Sequence, residues 1–115
     1  MLATHLEKLK HLELSFGGEL LYEASVGGAT PVMRVLKEVY QSEPIAKIEG
    51  IVNGSTNYIL TKIAEIGVPF SEASKDAQEK GFTESDPTLD IDGFDATYKA
   101  VLLACNAMGV YVRPE

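Results

Sequence analysis

Apolar positions along the chain recur with two different spacings, and the switch between them outlines the elements. Leu2, Leu6, Leu9 and Leu12 repeat every three or four residues with Glu7, Lys8 and Lys10 between them, which predicts an amphipathic helix over residues 2–12. Residues 15–18, Ser-Phe-Gly-Gly, break that pattern, and residues 19–25 (ELLYEAS) read as a short strand. Thr30 is then placed to cap a helix that has Pro31 at its first position and runs to about Tyr40. Residues 45–53 (IAKIEGIVN) alternate and carry β-branched side chains, as a second strand would. Two further helices follow. One has Ser55 or Thr56 near its start and stops at Gly67; the next is capped by Ser71 and closed by Gly81. An acidic loop leads to a long helix from about Gly93 to Met108, and residues 110–112 (VYV) read as a short closing strand.

Helices and strands alternate in this reading, but the strands are few. The expected fold is α+β: an open mixed β-sheet with helices packed on one face, a two-layer sandwich whose other sheet face needs a partner. At 115 residues the chain has room for one domain with a real core, spanning residues 1–115. Both ends read as cuts from a larger protein.

Charge narrows the partners. Seventeen acidic against ten basic side chains give a formal net charge of −7, which disfavours non-specific binding to nucleic acid or to anionic lipid. No apolar run approaches the ~18 residues of a membrane span, and the first ten residues lack the profile of a signal peptide. Cys105 is the single cysteine, inside an apolar helical run. It cannot form an internal disulfide and reads as a small core hydrophobe in a reducing compartment. These features together place the protein in the cytoplasm.

Candidate chemistry concentrates in residues 81–99, GFTESDPTLDIDGFDATYK. Asp95 and Lys99 lie four apart, so on a helix they share a face and can pair. By spacing alone that is a surface ion pair of small energetic weight; in a cleft, a lysine so held can give and take a proton. Asp86-Pro87 favours a turn, while Glu84, Asp86, Asp90, Asp92 and Asp95 would suit a substrate ammonium group. A calcium loop does not fit, because the terminal glutamate of that pattern is missing. Residues 25–30 (SVGGAT) precede a helix and could cradle an anion or, through carbonyls and Glu23, a monovalent cation; they are neither GxGxxG nor a P-loop. His5 and His11 have no third ligand at metal spacing.

Three stretches together resemble the homoserine dehydrogenase family: the long run from Ala77 through Gly81-Phe82-Thr83 and Asp86-Pro87 to Asp90-Ile91-Asp92-Gly93-Phe94-Asp95 and Lys99, together with EASVGGATPVMRVL and EGIVNGSTNYIL. The resemblance covers nearly the whole chain. It implies NAD(P)-dependent interconversion of L-homoserine and L-aspartate 4-semialdehyde, on the route to threonine, isoleucine and methionine. By the same resemblance Lys99 matches the proton donor and acceptor, Asp95 the carboxylate that orients it, and Glu84 and Asp90 the substrate-binding acids. Gly81 matches a backbone position beside the cofactor. Glu23, with the backbone of Val26, Gly28 and Thr30, matches a sodium site. The family's dimer contact runs through the sheet, so a homodimer through the sheet is expected here. The glycine-rich fingerprint that grips a dinucleotide is missing from these residues, so the chain reads as the substrate domain without the nucleotide-binding domain. The alternative is a non-catalytic amino-acid-binding or dimerisation module.

Overall fold

The first helix shows how the chain is built. In the computed structural model, which describes residues 2–83 and 88–114 (of residues 88 and 89 the backbone alone), α1 spans Leu2–Phe16. It buries Ala3 and Leu6 and runs a turn beyond the expected end, leaving Leu14 and Phe16 exposed. Gly17 stops it by donating its N–H to the Glu13 carbonyl at 3.0 Å. The remaining elements are α2 (Val32–Glu38), α3 (Gly54–Ile66), α4 (Phe70–Glu79), the single turn α5 (Thr88–Ile91) and α6 (Phe94–Met108). No helix among the described residues is long and apolar enough to cross a membrane.

The expected sheet does not form among the described residues. No β-strand occurs among the described residues, so the α+β sandwich is corrected to a helical arrangement, and there is no sheet to carry a dimer contact. Alternation in sequence reports which side chains want one face, but a strand also needs a ladder partner for its N–H and C=O groups. In residues 19–25 several of those groups are committed elsewhere. Leu20 donates its N–H to Glu13 Oε1 at 2.7 Å, and the Glu23 carbonyl accepts from Val26 in a turn at 3.1 Å. Residues 45–53 and 110–112 form neither helix nor strand, and Ile48, Ile51, Val110 and Val112 stay exposed.

Helix ends differ from expectation in a consistent way. Neither Thr30 nor Ser71 caps: Pro31 and Pro69 occupy the N-cap positions of α2 and α4, with no side-chain cap bond. At α3 the cap is Asn53, whose Oδ1 accepts the Thr56 N–H at 2.9 Å. Gly67 ends α3 as predicted, at φ 75°. Gly81 ends α4 in a paired-bond stop: its own N–H goes to the Gln78 carbonyl at 3.0 Å, and the next N–H, of Phe82, goes to Ala77 at 2.9 Å. That geometry needs a left-handed residue between them, which Gly81 supplies at φ 74°.

The chain divides into two compact units, residues 1–49 with 97–115, and residues 50–96. In the first, Ala3, Leu6, Val26, Met33, Val101, Leu102 and Leu103 are buried. In the second, α4 packs on α3, and Ile59, Ala73 and Ala77 form the core with Tyr58, Ile63 and Val68 against it. Alanines at i and i+4 give α4 a smooth stripe, so its backbone can approach α3 closely. α5 also lies against α3. The long α6 starts in the second unit and continues into the first.

Candidate functional site

The segment expected to be an acidic loop contains α5, and Asp90 rides on it. Asp95 occupies the first turn of α6. What brings these two carboxylates together is the side chain of Asn53, 9% exposed and the one buried polar residue among those described. Its Nδ2 donates to Asp90 Oδ1 at 2.7 Å and to Asp95 Oδ2 at 2.9 Å. With two hydrogens on that nitrogen, one serves each carboxylate, while Oδ1 is spent on the α3 cap. The Thr56 hydroxyl closes the turn onto Asn53, 3.3 Å from both its carbonyl and its Oδ1. Every polar atom of this buried amide therefore has a partner, as burial requires. Lys99 lies four positions beyond Asp95 on α6, half-buried. Glu84 lies outside the described residues.

A second polar network sits across α3 and α4. The Tyr58 hydroxyl donates to Asp76 Oδ2; Lys62 and Lys80 reach the same carboxylate, each at 3.0 Å. Lys80 also donates to the Tyr58 oxygen at 2.8 Å. The Tyr58 hydroxyl foremost, then Lys80 and Lys62, hold the Asp76 carboxyl well below the usual range. Bonds to Tyr58 and then Asp76 push the Lys80 ammonium up. The Tyr58 ring stacks on Phe82 with centroids 4.5 Å apart, and the Ser55 hydroxyl donates to the Phe82 carbonyl at 2.6 Å. The start of α3 and the chain leaving α4 are thereby tied together. Between them is an open cavity of about 520 Å³ lined by Gly54, Ser55, Asn57, Tyr58, Thr61, Gly81 and Phe82. A Cβ placed on Gly81 would meet nothing within 4 Å, so its backbone is open to a neighbour.

In the first unit, Glu23 does something its sequence position did not advertise. Oε1 accepts the Met33 N–H at 2.8 Å and Oε2 the Arg34 N–H at 2.9 Å, so a carboxylate ten residues upstream caps α2 where Pro31 cannot. Anionic oxygens belong at a helix start, where N–H groups lack intrahelical partners. Gly27 and Gly28 turn with φ 80° and 57°, and a Cβ on Gly27 would come within 3.2 Å of Val32. Val26 is buried and Thr30 accepts from Val32 at 2.8 Å. The Glu23 carboxylate and the carbonyls of Val26, Gly28 and Thr30 are all hard oxygen donors, the kind a sodium ion takes. Among the described residues no cluster of three or more His, Cys, Asp or Glu could hold a metal.

Sequence reasoning missed two residues. In the sequence Asn53 falls at the end of the expected strand 45–53, and the helix start is assigned to Ser55 or Thr56, although an Asn before Gly-Ser-Thr is itself a strong cap signal. Tyr58 was not singled out; its partners Lys62, at i+4, and Asp76–Lys80, at i,i+4, were visible as spacings, but their convergence was not.

Within the second unit one buried amide holds two carboxylates, acceptors of the kind a small polar ligand can meet. Comparison with known proteins makes this specific. The sequence profile described as homoserine dehydrogenase matches residues 31–115. A homoserine dehydrogenase of Lactococcus lactis is 38% identical over the whole of this chain and 27% of its own length; one of Methanocaldococcus jannaschii is 49% identical over 77% of this chain and 26% of its own. Among solved structures, a homoserine dehydrogenase from Thiobacillus denitrificans superposes with a TM-score of 0.87 at 33% identity, over 95% of this chain and 25% of that one. A hyperthermophilic archaeal homoserine dehydrogenase in complex with NADPH gives 0.83 at 36% identity, over 96% of this chain and 34% of its own. The chain belongs to the homoserine dehydrogenase family. It spans about a quarter of the length of the curated relatives it matches.

Proposed function

We propose that this chain is the substrate-binding and catalytic part of an NAD(P)-dependent oxidoreductase that interconverts L-homoserine and L-aspartate 4-semialdehyde, on the route to threonine, isoleucine and methionine. The observation that supports it most is the pairing of Asp90 and Asp95 on one buried amide, inside the sequence run that resembles the family's signature. In this reading Asp90 and Glu84 accept hydrogen bonds from the substrate ammonium group. Lys99 gives its proton to the substrate oxygen as the carbonyl is reduced, and takes it back in the reverse direction. Negative charge grows on that oxygen during reduction, and a nearby ammonium stabilises it. Asp95 keeps Lys99 oriented.

The nicotinamide cofactor, when bound, supplies or removes the hydride at the carbonyl carbon. The backbone at Gly81, open on one side, is the place in this chain that would lie beside it. The principal grip on the dinucleotide belongs to a nucleotide-binding domain outside these residues, which carry no glycine-rich fingerprint. The Glu23 carboxylate, with the carbonyls of Val26, Gly28 and Thr30, would hold a sodium ion. The reading also places the enzyme in the cytoplasm and gives it a homodimeric form.

Lys99→Ala in the complete dehydrogenase tests the assignment. Loss of a general acid lowers turnover by ~10²–10⁴. A fall of less than about tenfold would remove Lys99 from the reaction.

A further inference from the structure

We infer that Asn53 is a positioning residue for the reaction, acting through Asp90 and Asp95 rather than on the substrate itself; this rests on the function proposed above. The amide does two separable jobs. Its oxygen caps α3 by accepting the Thr56 N–H at 2.9 Å. Its nitrogen holds one carboxylate on α5 and another on α6, at 2.7 and 2.9 Å. The three partners are 3, 37 and 42 residues away, so this one side chain ties the start of α3, α5 and the first turn of α6 to one point.

The chemistry explains why an amide stands here. Two carboxylates brought close repel, and a charged donor between them would answer that repulsion by neutralising them. A primary amide offers two N–H groups at a fixed angle and no net charge. It orients both carboxylates and leaves their cationic complement to other groups, which in the proposed reaction are Lys99 and the substrate ammonium. A displacement of about 1 Å in such a set costs on the order of a hundredfold in rate.

Serine and aspartate both cap helices about as well as asparagine, so they divide the two jobs. Asn53→Ser keeps a cap but is too short to reach both acids. Asn53→Asp keeps the cap and sets a third carboxylate between the other two. In the complete dehydrogenase, both variants should retain far-UV circular dichroism while kcat/KM for L-homoserine falls roughly ten- to a hundredfold, with Asn53→Asp the worse. A purely structural role would lower Tm and leave KM and kcat where they were.

A second readout does not need activity. In the 115-residue chain, the two Nδ2 protons of Asn53 should resonate separately and exchange slowly. Asp90→Ala should move one of them and Asp95→Ala the other. If neither aspartate variant shifts either proton, or if Asn53→Ser keeps kcat/KM within about twofold of wild type, the inference is overturned. If the proton pattern holds but the wild-type dehydrogenase does not turn over homoserine, the proposed function fails and the bridging geometry stands.

Discussion

Ile59→Ala should destabilise the second unit by roughly 3–4 kcal/mol. Ile59 is 2% exposed, and the residues it packs against on α4, Ala73 and Ala77, are 1% and 0% exposed. Removing three carbons forfeits about 2.4 kcal/mol of transfer free energy at ~0.8 per methylene. The cavity term comes on top, at about 24 cal/mol for each Å³ that fails to close. Closure is poor here for a structural reason. Two of the three core side chains are methyl groups fixed to a helical backbone and cannot swing inward; only Tyr58, Ile63 and Val68 can relax, and Tyr58 is tied to Asp76. Urea unfolding of the 115-residue chain followed by far-UV circular dichroism measures the loss as a lower midpoint with an unchanged slope. Leu60→Ala is the control, since Leu60 is the next residue on α3 and 51% exposed; it should cost less than about 1 kcal/mol. If the two substitutions cost the same, α4 does not seal against α3 as described, and the stop at Gly81 loses its footing.

Two further tests follow from individual carboxylates. Because the Asp76 carboxyl is lowered in the folded protein, it contributes stability that is present above the ordinary carboxylate range and lost as pH falls through that range toward its folded value. The Tm difference between wild type and Asp76→Asn should therefore hold above about pH 5 and shrink as the pH falls below that toward about 2; a difference that stays flat would mean that the bonds from Tyr58, Lys80 and Lys62 add nothing. Glu23→Ala should free the first N–H groups of α2 and cost about 1 kcal/mol, with faster amide exchange at Met33 and Arg34; exchange rates like those of wild type would show that α2 caps itself.

The helices were legible because their signals are local. Leucines at helical spacing announced α1, and Gly67 and Gly81 announced the ends of α3 and α4. The strands were overread because alternation in residues 19–25 and 45–53 describes a preference of side chains, whereas a ladder is a relation between distant backbones. In residues 19–25 that relation is displaced by Glu13, which takes the Leu20 N–H. The caps failed for a related reason. Thr30 and Ser71 have the right chemistry, but the N-cap positions fall to Pro31, next to Thr30, and to Pro69, two residues before Ser71, and at α2 the task passes to Glu23. Of the site, the acids were visible as a cluster in one stretch. The residue that organises two of them was not, because Asn53 and Asp90 are 37 positions apart.

The two acidic neighbourhoods of the second unit show why a cluster of carboxylates says little until its donors are known. Asp76 is met by a hydroxyl and two ammonium groups, Lys62 and Lys80. Its charge is balanced where it stands, and the bonds lock α3 to α4. Asp90 and Asp95 are met by an amide, which fixes direction and contributes no charge of its own. A neutral orienting partner leaves the choice of cation at Asp90 to other groups, and a ligand ammonium can answer there as readily as a side chain. Replacing the amide by a lysine would convert the second arrangement into the first. Asn53→Lys should thus hold the acids together while excluding a cationic substrate, raising KM for homoserine far more than Asn53→Ser does. If the lysine variant bound homoserine as the wild type does, the acids on α5 and α6 would be structural like Asp76, and the distinction between the two networks would fall.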